Sequence, residues 1–164
     1  MMMRIDRRSL IGVAGLGSAL MLLAAFGFQH LGGLAPCEMC LWQRWPHAAA
    51  VVIGAVGLVR PHGLVALAGA LGMAVNAAIA LLHTGVERGW WVLNLACTGG
   101  AEDLGAMDIT ALLDPTQGAP IVLCTEVAWA MLGLSMASWN GLASVALGAI
   151  WIAAAWAGSA TRPA

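Results

Sequence analysis

The sequence has little charge and contains no lysine and no tyrosine. Only 9% of its 164 residues are charged, whereas 61% are hydrophobic, and the mean hydropathy is +0.87. A water-soluble domain covers its surface with roughly a quarter charged residues, so this composition excludes an ordinary soluble domain. Intrinsically disordered segments have low hydrophobicity and high net charge, so the composition excludes intrinsic disorder as well. Lipid is therefore the expected solvent of this chain.

Positive charge is also too sparse to form a patch. Seven arginines are balanced by eight acidic residues, which gives a net charge of −1. Binding to nucleic acid depends on clustered basic side chains that neutralise phosphates. We therefore predict that the chain has no nucleic-acid partner.

Long apolar runs dominate what is present. A spanning helix needs about 20 mostly apolar residues, and four segments of this kind occur at residues 10–29, 44–59, 64–83 and 140–157. With no internal repeat, and at roughly 150 residues per domain, they fit a single domain over residues 1–164. The predicted fold class is an all-α membrane protein, a bundle of four transmembrane helices.

The arginines indicate the orientation of the predicted bundle, because cytoplasmic flanks collect arginine. Five of the seven fall on one side of the spans, at Arg4, Arg7, Arg8, Arg60 and Arg162. Both termini are then cytoplasmic, and the loops at residues 31–43 and 84–139 lie outside. An arginine pair before an apolar run is also typical of a secretory or twin-arginine signal. The run at residues 10–29 exceeds the usual length of about 7–15 residues, which favours a retained helix.

The second loop, residues 84–139, carries most of the acidic side chains. Glu87 and Arg88 are expected to be solvated loop charges. Residues 125–137 are mostly apolar, begin with a threonine suited to capping a helix, and place Glu126 in the first turn. This pattern predicts a short helix lying in the membrane interface.

All four cysteines lie in the two predicted outer loops, Cys37 and Cys40 in the first, Cys97 and Cys124 in the second. Disulfides persist outside the cytoplasm. Four cysteines allow three connectivities; the Cys37/Cys40 ring is the easiest to close, which leaves Cys97 with Cys124. Because so small a ring constrains little of the unfolded chain, a C-x-x-C pair favours thiol–disulfide exchange. The open alternative is a Cys₄ or Cys₂His₂ zinc site.

Two polar residues near the C-x-x-C pair are candidates for a binding site. Arg44 follows Cys40 by four residues, one helical turn if the helix has begun by Leu41. There its cation can stabilise the Cys40 thiolate and bind a carbonyl oxygen, or it can simply snorkel to the interface. His83 ends the third span on the same face, where a hydrogen-bonded helix-end histidine is the alternative. Asn76, inside that span, is expected to hydrogen-bond a neighbouring helix.

These motifs together resemble the DsbB family of bacterial inner-membrane disulfide-forming proteins. Residues 37–44 resemble its C-x-L-C-x-x-x-R signature, with Met39 in place of the usual leucine. Residues 83–97 and 124–136 resemble its second loop. The four spans and the order of the motifs extend the resemblance over most of the chain.

The resemblance implies a quinone-dependent protein-disulfide oxidoreductase of the inner membrane. Electrons would pass from a periplasmic DsbA-like thioredoxin-fold protein to Cys97/Cys124, then to Cys37/Cys40, and then to ubiquinone or menaquinone. Cys40 would be the thiolate next to the quinone, Cys37 the exchange partner of the second loop, and Cys97 the sulfur attacked by the client. Arg44 and His83 would bind the quinone. The alternative is a non-catalytic four-helix membrane scaffold with structural disulfides or a zinc site.

Overall fold

The computed structural model describes residues 6–92 and 122–157. Four long helices confirm the predicted all-α architecture. Arg4, Arg162, Cys97 and the acidic residues at positions 102–114 lie outside the described residues. The elements in chain order are helices α1 (Arg7–His30), α2 (Glu38–Val59) and α3 (Gly63–Glu87), strands β1 (Ala130–Met131) and β2 (Leu134–Ser135), and helix α4 (Met136–Trp156).

The four helices close into a ring in which α1 contacts α2 and α4, and α3 contacts α2 and α4. Within residues 6–92 and 122–157, three of them, α1, α3 and α4, are long and apolar enough to cross a membrane. The N-terminal half of α2 carries glutamine, arginine and histidine side chains and is less apolar. Its 22 residues nevertheless cover about 33 Å, which is long enough for α2 to run the length of the bundle beside its neighbours.

Helix α2 begins earlier than the sequence predicts, at Glu38 instead of Arg44. Cys37 is its N-cap, and the Cys37 sulfur accepts the backbone N–H of Cys40 at 3.3 Å. Glu38 adds a negative charge in the first turn, where the helix dipole favours it. The C-x-x-C pair therefore lies on a helical segment that precedes the apolar residues 44–59.

Small residues allow the helices to pack closely. A Cβ atom on Gly54 of α2 would lie 3.1 Å from the Cα of Gly15 on α1, so the two backbones touch. A Cβ atom on Gly69 of α3 would lie 2.4 Å from the ring of Trp151, a fully buried side chain of α4. Close approach of this kind is how helices gain van der Waals contact in lipid.

Arg7 joins three chain segments at one end of the bundle. Its Nε donates to the Ala154 carbonyl at 3.0 Å, and its other nitrogens donate to the carbonyls of Ala155 and Pro61 at 3.3 Å. The start of α1, the end of α4 and the turn between α2 and α3 are thus held together. The C-x-x-C pair lies at the opposite end, as the arrangement of the helices requires.

The prediction of a short interfacial helix at residues 125–137 is wrong. The described chain forms a β-hairpin there, with Ala130 paired to Ser135 and Met131 to Leu134. Leu132 and Gly133 both have positive φ angles, 54° and 76°, as the two-residue hairpin turn with the twist of the strands demands. Ser135 then caps α4 by accepting the Ser138 N–H. Gly133 completes the hairpin turn and α4 begins only after its N-cap Ser135, so no single helix runs through residues 125–137.

Candidate functional site

Cys37 and Cys40 form the centre of the site at the N-terminus of α2. Their sulfur atoms lie 3.0 Å apart, with the Cys37 thiol donating to the Cys40 sulfur. Cys37 is buried, and Cys40 is partly exposed. Because a disulfide bond is about 2.05 Å long, only a small approach of the two sulfurs separates the thiol pair from the bonded form.

The hydrogen bond between the two thiols makes them unequal acids. It is the main cause that raises the pKa of Cys37, to about 12, and burial raises it further. The same bond is the main cause that lowers the pKa of Cys40 below the ordinary value of 9.0. Since the thiolate is the reactive form of cysteine, the hydrogen bond favours a thiolate on Cys40 over one on Cys37.

Cys124, from the second predicted loop, is buried against this pair. It belongs to a small apolar cluster that also contains Cys37, Met39 and Val86, with Cys40 packed at its edge. Three of the four predicted catalytic cysteines therefore lie together. The fourth, Cys97, lies outside the described residues.

His83 faces the cysteines from α3. Its side chain is 3% exposed, and its Nε2 atom lies 3.5 Å from the Cys37 sulfur. On the other edge of the ring, Gln43 Nε2 lies 3.1 Å from His83 Nδ1. The predicted position of His83 beside the C-x-x-C pair is thus observed, with the ring orientation fixed from both sides.

The prediction that Glu87 is a solvated loop charge is wrong. Helix α3 continues to Glu87, one turn beyond His83, and this turns the carboxylate toward the site. The side chain is only 6% exposed, and its Oε1 lies 3.7 Å from His83 Nε2. The other carboxylate oxygen, Oε2, is buried with no hydrogen-bond partner among the residues that the structure describes. The adjacent Arg88 is exposed, as expected.

Arg44 lies one turn beyond Cys40 on α2, as predicted. The centre of its guanidinium group stands 4.8 Å from the centroid of the Phe26 ring of α1. Its Nε atom is buried and finds no hydrogen-bond acceptor within residues 6–92 and 122–157. A partly buried cation with an unused donor is suited to an acceptor atom of a ligand.

These side chains share one apolar cavity of about 320 Å³. Its polar lining side chains include Cys40, Arg44, His83 and Glu87, together with Gln43, His47, Glu126 and Asn140. The remaining wall comes from α1, the β-hairpin and the start of α4, with Met21, Leu22, Phe28, Trp129, Met131 and Met136 among the lining side chains. A mostly apolar cavity with a few converging polar groups is the usual form of a small-molecule site.

A chain of buried polar contacts continues from His83 into the apolar bundle, and the sequence analysis missed most of it. Asn140 Nδ2 donates to Gln43 Oε1 at 2.7 Å, and Asn140 Oδ1 lies 2.9 Å from His47 Nε2. Asn76 Nδ2 lies 3.0 Å from the same histidine nitrogen and donates to Ser144 at 2.8 Å. This confirms the prediction for Asn76. Polar residues inside the apolar runs were the available signal for His47 and Asn140.

Helices suited to a bilayer and a buried, unequal thiol pair define an integral membrane protein of the thiol–disulfide exchange class. The model of the family described as "Disulfide bond formation protein DsbB" matches residues 7–154. No solved structure matches the chain.

Named relatives agree with that match. "Disulfide bond formation protein B" of Stutzerimonas stutzeri (strain A1501) is 33% identical over 163 residues, covering 88% of this chain and 93% of the relative. "Disulfide bond formation protein B 2" of Pseudomonas aeruginosa (strain PAO1) is 28% identical, covering 83% of each chain. The protein of Shewanella sp. (strain MR-4) is 32% identical, covering 75% of this chain and 73% of the relative. The chain belongs to the DsbB family of disulfide bond formation proteins, and its function is disulfide bond formation.

Proposed function

We propose that the chain oxidises a periplasmic DsbA-like thioredoxin-fold protein and passes the electrons through two cysteine pairs to a membrane quinone, ubiquinone or menaquinone. The observation that carries this proposal is the cavity of about 320 Å³, on whose wall Cys40, Arg44 and His83 meet. A quinone is an apolar ring with carbonyl oxygens, so the apolar lining and the unused donor of Arg44 fit it. The membrane is then the bacterial inner membrane, with the cysteines on its periplasmic side.

The thiol chemistry follows from the order of the pairs. A donor thiolate attacks Cys97 of a Cys97/Cys124 disulfide, and the second donor thiol completes the exchange, which oxidises the donor and leaves two loop thiols. The loop thiols then reduce the Cys37–Cys40 disulfide through a mixed disulfide on Cys37, and Cys97/Cys124 is restored. The burial of Cys124 beside Cys37 supports this transfer, because the loop and the helix already share one cluster.

The residues around the cavity have distinct tasks in returning Cys37/Cys40 to a disulfide. A bound quinone supplies the two-electron oxidant for this step. Cys40 presents its thiolate, which the hydrogen bond from Cys37 stabilises. His83 Nδ1 faces the Gln43 amide N–H, so its ring proton lies on Nε2, 3.5 Å from the Cys37 sulfur, and is directed at that sulfur. Arg44 donates hydrogen bonds to a carbonyl oxygen and counters negative charge there.

Replacing Cys97, whose sulfur the donor thiolate attacks, tests the order of the two cysteine pairs. The purified protein in detergent, supplied with a reduced thioredoxin-fold donor and a soluble quinone, is expected to oxidise one donor per quinone consumed. Cys97→Ser should block oxidation of the donor yet leave Cys37/Cys40 open to oxidation by quinone, whereas Cys40→Ser should block both. Donor oxidation by Cys97→Ser at the parental rate contradicts the proposed order. A parental protein that oxidises no donor supports the scaffold alternative.

A further inference from the structure

Three potential metal ligands converge at the redox centre. The Cys37 and Cys40 sulfurs and the His83 Nε2 atom all lie within 4.8 Å of one another. The two sulfurs are 3.0 Å apart, and Nε2 is 3.5 Å from Cys37. Thiolates and imidazole are the ligands that zinc prefers in proteins, usually in a tetrahedral set of four. Two helices thus supply three members of such a set.

Glu87 provides an independent indication that a ligand is bound here. Its side chain is 6% exposed, and Oε1 lies 3.7 Å from the same nitrogen of His83. Its Oε2 atom is buried, and nothing in the described part of the chain donates to it. Leaving a buried carboxylate oxygen without a partner is costly. The exchange and reoxidation steps above give Glu87 no task.

We propose that the reduced protein binds one zinc ion through the Cys37 and Cys40 thiolates, His83 Nε2 and the Glu87 carboxylate. Tetrahedral zinc with Zn–S bonds of about 2.3 Å places two sulfurs about 3.8 Å apart. The observed pair needs to open by less than 1 Å, a small rotation of side chains. Zinc on Nε2 leaves the ring proton on Nδ1, so the Gln43 side-chain amide, whose nitrogen lies 3.1 Å from Nδ1, must turn its oxygen to that atom to accept the proton. All four ligands line the cavity, so the ion has a path of entry.

Zinc at this position acts as an inhibitor of the redox centre. Both thiols lose their protons when they bind the ion, and no electrons move. A Cys37–Cys40 disulfide cannot supply the two thiolates, so the ion binds only the reduced pair and holds it reduced. Inhibition rests on the proposed function, because it matters only if Cys37/Cys40 must be reoxidised. Binding itself does not depend on that function.

Equilibrium dialysis with zinc chloride tests binding without any turnover. The protein carrying Cys97→Ser and Cys124→Ser removes the other thiols, and its folding is checked by thermal unfolding in detergent. We expect one zinc per chain when Cys37 and Cys40 are reduced, and none after they are oxidised to a disulfide. Equal binding by both forms, or no binding by the reduced form, overturns the proposal. Because dialysis needs no quinone, an inactive protein leaves this measurement readable.

A pair of charge-removing variants tests the fourth ligand. Glu87→Gln keeps the size of the side chain but loses a charged ligand, so the zinc Kd should rise about tenfold or more. Glu38→Gln is the matched control, since Glu38 is an exposed residue in the first turn of α2 and does not line the cavity. Its Kd should equal that of the parent. Parental affinity in Glu87→Gln removes Glu87 from the site and overturns the four-ligand proposal.

Discussion

Replacing Arg44 by methionine separates quinone binding from stability. The variant keeps most of the apolar length of the side chain and loses the guanidinium group. A hydrogen bond to a charged group contributes about 1.5–3 kcal/mol. At about 1.4 kcal/mol per factor of ten, the quinone KM should rise between about 10-fold and 150-fold. The quinone KM of Arg44→Lys should lie between those of the parent and of Arg44→Met, because lysine keeps the charge but loses the planar fork.

The cost to folding should be much smaller. The variant loses the contact between the guanidinium group and the Phe26 ring, at 4.8 Å, which contributes about 0.5–1 kcal/mol. In the parent protein, the buried Nε donor has no acceptor in the described residues, and this destabilises the folded state. The variant removes that donor and so relieves the destabilisation. The two effects oppose each other, and we expect the free energy of unfolding to change by no more than about 1 kcal/mol.

Steady-state turnover in detergent, with quinone varied at a saturating concentration of reduced donor, measures the KM. Phe26→Leu is the matched control: it removes the same ring contact, keeps the guanidinium group, and lies outside the residues that line the cavity. Its KM should change less than about fivefold, which corresponds to at most about 1 kcal/mol. A folded Arg44→Met protein with the parental KM refutes the assignment of Arg44 to the quinone and returns it to an interfacial anchor.

Three further predictions test the orientation, the thiols and the packing. In reduced cells, a membrane-impermeant thiol reagent should label the partly exposed Cys40 without lysis, because both loops are expected on the periplasmic side. Labelling of Cys40 only after lysis reverses the orientation. In a reduced protein carrying Cys97→Ser and Cys124→Ser, the rate of alkylation of Cys40 should rise through a midpoint below pH 9.0. Cys37 should stay protonated and unreactive until near pH 12. Equal alkylation rates of the two cysteines at neutral pH contradict the difference between their pKa values. Gly69→Ala should lower the stability to thermal unfolding by about 1–3 kcal/mol, because the added methyl group meets the Trp151 ring. Gly27→Ala is the control and should not lower the stability, because nothing lies within 4 Å of the added methyl group. Equal stability of the two variants contradicts the close packing.

The sequence predicted the helices well because long apolar runs leave few alternatives in lipid. The predicted spans at residues 10–29 and 64–83 fall inside observed helices, and the span at residues 140–157 overruns its helix by one residue. The hairpin at residues 130–135 was missed, since its apolar residues follow no clear period and its turn depends on Leu132 adopting a positive φ angle. Short elements of this kind are decided by tertiary contacts such as the bond from Trp139 Nε1 to the Met131 carbonyl.

The candidate site was predictable in its reactive residues and not in its surroundings. The spacing of Cys37, Cys40 and Arg44 is local and can be read along one helix. The burial of Glu87 depends on how far α3 continues, and the contact of Gln43 with His83 depends on how α2 packs on α3. Neither has a signature in the local sequence. The same holds for Cys124, whose buried cluster partners Cys37, Met39 and Val86 are all distant in the chain.

The buried polar chain from Gln43 through Asn140 and His47 to Asn76 has a consequence for how the protein is inserted into the membrane. Helix α2 alone would expose the Gln43 amide and the His47 imidazole to lipid. Among the four described long helices, it is the one that is not apolar enough to count as a candidate membrane span. Only three residues separate it from α3, so the translocon should release the two as a helical hairpin. Asn140 arrives last, on α4, and completes the contacts. A nascent chain that stops before α4 should therefore be held at the translocon or degraded, because its polar groups have no partner in lipid.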